Sequence, residues 1–519
     1  MFKPFAVDNI YSRRDSKIEL YHNQITKYQG VFSIRTNMLS FGLHAIANNI
    51  NADTTVLEFP TLRRFRKELQ KGYDYVGISG IIPNFEKVRR MAQEVREVSP
   101  SSRIIIGGFC ATVENLEEMV DADYVCVGEG ISFMRDLLGE DPEFKFKSPS
   151  VFHELREMLG VPLLGIKTPH IPVGLGCPYG CDFCHPSHFF GKKHIRFFKS
   201  GKELYKEMVR VCDKYKTDIV SFIGDDNFLI DLDRARELRD EVIKGGRDFR
   251  IFFFASADRI EKFGVDELAG MGAFQVWIGR ESCLSGTYSK NREVDIKGLI
   301  ERLRARGIKT VLSSILLLDE HDKENIYYDI EDHLDCRPDF SQFSFYSPLP
   351  GTPLHDRMKE SGRLIQGIAF EEMHAFKQPW FVHPHFTLEE AEHVQAHAYL
   401  RDYYELGPSL LRWFETDLTG YLAMKDSTDP VLLQRSRALA RAMPKYRPVL
   451  EAMEKLVPTA PMAAKVKSLR QRIEAEFGGL TTAEKLMAGG LTAFGKARQW
   501  RTARFGDNIQ PYTRRFRYQ

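Results

Sequence analysis

A chain of 519 residues with 43% apolar and 28% charged side chains has room for two or three domains and the balance of a globular protein. A net charge of +2 singles out no partner, and eight cysteines over such a length exclude a disulfide scaffold. The opening MFKPFAVDNIYSRRDSKIEL has no apolar core or cleavage pattern, and no run approaches the ~18 apolar residues of a membrane span, so the expected setting is a reducing cytoplasm. Charge is uneven: residues 461–519 carry twelve Lys/Arg against four Asp/Glu, which leaves +8 there and −6 in the rest.

Along the first third, short apolar runs alternate with amphipathic stretches. GVFSI (30–34), TTVLEF (54–59), YVGISGI (75–81), RIIIGG (103–108) and DYVCVGEG (123–130) read as strands. LSFGLHAIANNI (39–50), TLRRFRKELQKG (61–72), NFEKVRRMAQEVREV (84–98) and NLEEMV (115–120) read as helices. Five such strands predict a doubly wound parallel sheet over residues 1–150, which would bind a ligand at its glycine-rich strand ends. Residues 137–170 lack a clean period and are expected to form a linker with one short helix.

From HIPVGL (170–175) the alternation resumes. DIVSFIG (218–224), FRIFFFAS (249–256), FQVWIG (274–279), KTVLSSILLL (309–318) and FSQFSFY (340–346) complete six strand–helix units over 165–370. Six units make three-quarters of an eight-fold barrel, whose chemistry belongs on the loops after the strands. Residues 371–519 turn helical. The fold class is therefore α/β: a doubly wound domain, a partial barrel and a helical C-terminal region.

Between the first barrel strand and its helix lies GLGCPYGCDFCHPS (174–187), with Cys177, Cys181 and Cys184 spaced C-x3-C-x2-C. A structural zinc site uses four ligands in paired knuckles, so a lone triplet needs His185 or His188 to close it. An iron–sulfur cube takes one thiolate per iron, and three cysteines then leave one iron open to a chelating small molecule. Gly174, Gly176 and Gly180 suit a loop wrapped closely round such a body.

This motif, with Phe183 before the last cysteine and a barrel following, resembles the radical S-adenosylmethionine (SAM) enzymes. The resemblance implies a 4Fe-4S cluster on Cys177, Cys181 and Cys184. It further implies SAM chelated at the open iron and cleaved to a 5′-deoxyadenosyl radical, with Phe183 beside the adenine. FIGDDNFLIDLDRA (222–235) is similar to the segment that holds the SAM amino group, which assigns Gly224, Asp225 and Asp226. Any of these aspartates also suits a helix N-cap. Ser256 of FASADRI (254–260) is assigned to the methionyl carboxylate. Glu281 of WIGRESCLSGTYSKNR (277–292) is assigned to the ribose, with an ion pair to Arg280 or Lys290 as the plainer alternative.

A doubly wound, Rossmann-like domain before such a barrel resembles the cobalamin-binding subgroup. Ser79, Gly107, Gly108, Gly128 and Glu129 are the corresponding strand-end residues. The Asp-x-His-x-x-Gly pattern that supplies a cobalt ligand in many such domains is missing: that place reads RTNMLSFG (35–42), and His44 reads as an ordinary helix residue. The implied function is cobalamin-dependent methylation of an unactivated carbon, with an external flavodoxin- or ferredoxin-type electron donor and a small-molecule, lipid or peptide substrate. The alternatives are coupling, cyclisation or rearrangement with an idle first domain, a tRNA methylthiotransferase, and a zinc-stabilised nucleic-acid-binding protein. His393 and His397, four apart on a helix, read as solvated surface. The remaining five cysteines read as buried thiols. The basic, aromatic tail (495–519) reads as a terminal arm packed on its own protein, with contact to an anionic surface as the alternative.

Overall fold

Residues 22–162, 166–284, 291, 293–505 and 513–519 are described by the computed structural model. After β1 (Arg35–Met38) come β2 (Thr54–Glu58), β3 (Tyr75–Ser79), β4 (Arg103–Gly107) and β5 (Tyr124–Cys126). β3, β4 and β5 form a parallel sheet, with Val76 opposite Ile104 and Ile106 opposite Val125. Helix Phe85–Val98 covers one face through Phe85, Val88, Met91, Ala92 and Val95, the 3–4 spacing of a single apolar stripe.

This parallel sheet is smaller than the five strands expected. GVFSI (30–34) is not a strand. Gly30–Phe32 is a 3-10 turn, and Val31 and Phe32 bury themselves among C-terminal helical residues such as Leu410 and Met453. β1 pairs with a strand of the second sheet. β2 pairs antiparallel with a strand from the far end of the chain, described below.

The second sheet is built from β6 (Val151–Met158), β7 (Val161–Pro162) and β8 (Lys167–Pro172), followed after a short β9 (Gly174–Leu175) and β10 (Ile195–Arg196) pair by β11 (Ile219–Ile223), β12 (Arg250–Phe254), β13 (Ala273–Glu281), β14 (Lys309–Leu316) and β15 (Phe340–Phe345). From β8 through β11 to β15 all neighbours are parallel, the six strands of an incomplete barrel. Beyond β8 the sheet continues antiparallel through β6 to β1. The expected linker helix before the barrel is thus a strand. Its period was masked because the buried side of β6 includes Glu154 and Glu157 among Val151 and Phe152.

The C-terminal region is helical and includes the helices Ser409–Met424 and Thr482–Phe505. The chain ends in β16 (Arg514–Tyr518), which lies on β2 with Phe516 opposite Val56. Residues 514–518 of the basic arm are therefore packed on their own protein, whereas 495–505 belong to the last helix. Tyr512 lies outside the described residues. No helix among them is long and apolar enough to cross a membrane.

Glu157 joins three parts of the molecule. It accepts hydrogen bonds from Arg35 of β1 at 3.2 Å and from Arg498 of the last helix at 2.8 Å, and all three side chains are buried. Replacing it takes the carboxylate away from two desolvated guanidinium groups. Glu157→Ala should therefore lose about 3–5 kcal/mol of unfolding free energy in a urea titration. A loss below 1 kcal/mol would mean the three charges are solvated.

Candidate active site

The three cysteines sit on the loop between β9 and helix His185–Phe189, above the C-terminal end of the barrel strands. Local chemistry dictates the path. Gly176 and Gly180 have φ of +71° and +68°, and a Cβ on Gly176 would lie 2.5 Å from the Lys193 carbonyl oxygen. Ser187 then staples the loop, donating to the Cys177 carbonyl at 2.6 Å and accepting from the Gly180 N–H at 3.2 Å. Cys177 is buried, while Cys181 and Cys184 are half-buried.

Neither histidine of the zinc alternative turns towards the thiols. His188 Nε2 is 3.0 Å from the Cys181 carbonyl oxygen. His185 Nε2 is 3.1 Å from the Thr112 hydroxyl, with its ring stacked on Phe109. Burial, then His188 beside it, lowers the His185 pKa to about 4, so the ring is neutral. Among the described residues no three His, Cys, Asp or Glu side chains converge on a single-ion site. Three cysteines on one loop are the donor set that a cube takes.

The paired aspartates after β11 separate into two roles. Asp225 is buried against Arg234 at 2.9 Å and His194 at 3.1 Å. Burial alone would raise its pKa, but the His194 hydrogen bond and the Arg234 charge outweigh it and hold it below the usual range. That carboxylate is committed to an internal ion pair. Asp226 instead faces an internal cavity and accepts from the Gly176 N–H. The residue is exposed through the open side of that cavity, while protein surrounds its carboxyl closely. That enclosure, followed by the Asp225 charge, raises its pKa to about 7. Gly224, with φ of +80°, also lines the cavity.

Ser256 accepts from Asn227 Nδ2 at 2.9 Å and donates to Asp258. Glu281 ends β13 in a buried left-handed conformation, φ +60°, where the pairing with β14 slips by a residue. Arg280 pairs with Asp332 at 2.7 Å, and Lys290 lies outside the described residues. Phe183 stands edge-on to Tyr346, with ring centroids 6.3 Å apart.

The cavity, of about 550 Å³, lies between the first sheet's strand ends and the barrel mouth. Ser79, Gly107, Gly108, Gly128 and Glu129 line one side of it, Gly224 and Asp226 the other. The glycines differ in purpose. A Cβ on Gly108 would strike the Gly80 carbonyl oxygen at 2.6 Å, so that glycine serves the turn. A Cβ on Gly107 would meet nothing nearer than Cys126 at 3.7 Å, and one on Gly42 nothing within 4 Å; these two keep a wall of the cavity low. Glu129 caps helix Gly130–Leu137, accepting from Ile131 and Ser132 at 2.6 and 2.8 Å, so both its oxygens are occupied. His44 does not reach the cavity as a ligand. It is buried between the Tyr518 hydroxyl and Glu58, an ordinary helix residue as expected.

Several participants escaped sequence reasoning. Tyr179, inside the cysteine motif, donates to Asp258 at 3.0 Å and accepts from Arg259 at 3.2 Å, pinning the loop to the exit of β12. Asp182 accepts from Tyr346 at 2.8 Å and Arg357 at 2.9 Å, so the segment after β15 grips the same loop. The aromatic within CPYGC was the available signal for Tyr179; the Asp182 partners lie more than 160 positions away and left none. Elsewhere, His393 and His397 are exposed as expected, and Cys283 alone of the other five cysteines is exposed rather than buried.

Residues 171–332 match the Radical SAM superfamily family model. The bacteriochlorophyllide d C-12(1)-methyltransferase of Chlorobaculum tepidum is 24% identical over 335 residues, which cover 59% of this chain and 71% of that one. The anaerobic magnesium-protoporphyrin IX monomethyl ester cyclase of Cereibacter sphaeroides is 21% identical over 355 residues, 60% of this chain and 57% of that one. The radical S-adenosylmethionine methyltransferase TsrM from Kitasatospora setae, solved with cobalamin and a [4Fe-4S] cluster bound, aligns with a TM-score of 0.49 at 14% identity, over 75% of this chain and 93% of that one.

The two aspartates should respond oppositely to substitution. Asp225→Ala leaves Arg234 buried without its carboxylate and should lose about 3–5 kcal/mol of stability. Asp226→Asn should leave the fold intact and alter its pH response. Between pH 3.8 and about 7 the folded cofactor-free chain keeps a proton on Asp226 that the unfolded chain releases, so wild-type stability falls as pH rises through that window and levels off above it. The urea midpoint of Asp226→Asn relative to wild type should accordingly rise from pH 4.5 to 7 and then stay flat. A difference constant across that range would place the carboxyl in free contact with water.

Proposed function

We propose that this chain, whose residues 171–332 are a radical SAM domain, is an enzyme that methylates an unactivated carbon with the help of a corrinoid. What carries the reading is one cavity bordered by two kinds of site. Gly107 and Gly42 leave it open from the first domain, while Leu175 and Pro186, which flank the three cysteines, border it from the barrel. A flat, bulky ligand between the domains would therefore lie next to the cysteine loop. The methyltransferase among the relatives agrees with this class of reaction.

Bound here, a 4Fe-4S cluster supplies the electron that splits SAM, and a corrinoid supplies the methyl carrier. Cys177, Cys181 and Cys184 would hold three irons and leave the fourth open. Asp226 is the carboxylate available to the SAM ammonium, since Asp225 is committed to Arg234. Ser256 would orient the methionyl carboxylate, Glu281 the ribose and Phe183 the adenine. Phe41, Phe189, Phe190 and Phe254 line the cavity with rings, which would limit the water around a reactive carbon radical. Ser79, Gly107, Gly108 and Gly128 would face the corrinoid, and among the described residues no histidine lines this cavity. Glu129 would act through its helix cap. The electron enters from an external flavodoxin- or ferredoxin-type donor. The domains would divide at 1–150, 165–370 and 371–519.

Cys177→Ala should abolish both the iron–sulfur absorbance of the anaerobically reconstituted protein and reductive cleavage of SAM; cleavage that survives would end the assignment. Corrinoid binding is tested separately. Gly107→Val adds a side chain on the cavity wall whose Cβ makes only ordinary contact, with Cys126 at 3.7 Å, so the variant should fold and cleave SAM while retaining cobalamin about tenfold less than wild type. Wild-type protein that retains no corrinoid would shift the reading to a radical enzyme with an idle first domain.

A further inference from the structure

Helix Thr482–Phe505 is built inside out. Its protein-facing side carries small residues, with Ala488, Thr492 and Gly495 buried. The approach is close enough that a Cβ on Gly495 would meet Leu456 at 2.5 Å, and one on Gly160 would meet Arg498 Cβ at 2.7 Å. Its outward side carries the large ones: Leu486 is 81% exposed, Trp500 63% and Phe494 57%. At 100° per residue, these three fall within a sector of roughly 120°, with Gly490, Ala493 and Ala497 between them. The stripe runs about 21 Å along a helix about 36 Å long. A helix facing water normally carries charge on that side, and burying large apolar surface is the usual reason to reverse the pattern.

Charge selects the occupant. Residues 485–505 contain five Lys/Arg and no Asp/Glu. Arg498 is taken by Glu157, but Lys496 flanks the stripe and Arg501 and Arg504 continue it at its C-terminal end, all three exposed. A second copy of the chain would set these acid-free helices against one another. An anionic bilayer offers both things the face lacks, a boundary for the apolar stripe and phosphates for the cations. The helix is not apolar enough to cross a membrane, so it would lie in the surface plane.

We infer that this face of helix Thr482–Phe505 docks the protein on an anionic membrane surface, with Leu486, Phe494 and Trp500 in the acyl boundary and Lys496, Arg501 and Arg504 at the headgroups. The docking goes beyond the catalytic reading and stands whether or not that reading survives.

The test is flotation of the full chain with vesicles of phosphatidylcholine alone or with phosphatidylglycerol added, at low and high salt. Wild type should float with the anionic vesicles, with binding weakened by salt. The triple variant Leu486→Ser/Phe494→Ser/Trp500→Ser, which alters only exposed side chains, should keep the wild-type melting temperature and bind at least about tenfold more weakly. Lys496→Glu/Arg501→Glu/Arg504→Glu should lose the preference for anionic lipid. Failure of wild type to float, or equal binding to both vesicle types, overturns the inference. So does a mass measurement in which wild type is a dimer and the serine variant a monomer while flotation is unchanged, because the face would then be a contact between copies.

Discussion

The arrangement of the site depends on one contact, the docking of the turn after β4 on the helix that follows the third cysteine. Phe109 stacks on His185 with ring centroids 4.6 Å apart and meets Phe189 edge-on at 5.1 Å. Thr112, next to them, shares a hydrogen bond with His185 and donates to the Pro350 carbonyl at 2.8 Å. A neutral imidazole suits this position: it packs as an aromatic and still pairs with a half-buried hydroxyl. Through these few residues the strand ends of two sheets face each other across a fixed gap. The gap is the cavity, so its width is a property of the contact rather than of either domain alone.

Buried charge holds the rest of the frame. The helical region meets the base of the barrel through the Lys309–Asp417 pair, through Asp339 accepting from Thr416 at 2.6 Å, and through Arg412, which is paired with Asp402 and donates to the Pro338 carbonyl at 2.9 Å. Such pairs contribute little net stability against apolar replacements, but each is costly to break singly. They fix the angle at which helix Ser409–Met424 crosses the strand starts, far from the loops that carry the chemistry. Stability and reactivity therefore occupy opposite ends of the barrel, as the layout of such barrels allows.

What could be read in advance followed from local signals. The three-cysteine spacing and the six apolar strands depend only on neighbours in the chain, and both stand in the structure. What could not be read depended on distant partners. β6 looked irregular because Glu154 and Glu157 point inward, which makes sense only once Arg514, Arg35 and Arg498 arrive to neutralise them. Helix Ser409–Met424 carries Arg412, Thr416 and Asp417 on its buried side, so its stripe does not look apolar. The adjacent Asp225 and Asp226 are chemically identical in the sequence. Arg234 and His194, from other elements, decide which is a strut and which faces the cavity. The pairing of β16 with β2 was hidden for the same reason, since an RRFRY strand is polar on alternate positions until Glu68 and Glu154 meet its arginines.

That last pairing bears on the order in which the molecule is made. The Thr513 hydroxyl bonds the Phe59 carbonyl across 454 positions of chain, and every rung of the β2–β16 ladder spans a similar distance. On a ribosome, β2 emerges early, and its partner in the two-stranded β2–β16 sheet follows only after all those intervening positions have been synthesised. β2 is thus translated early and paired late, so its exposed hydrogen-bonding edge needs guarding by chaperone or by neighbouring chain in the interval.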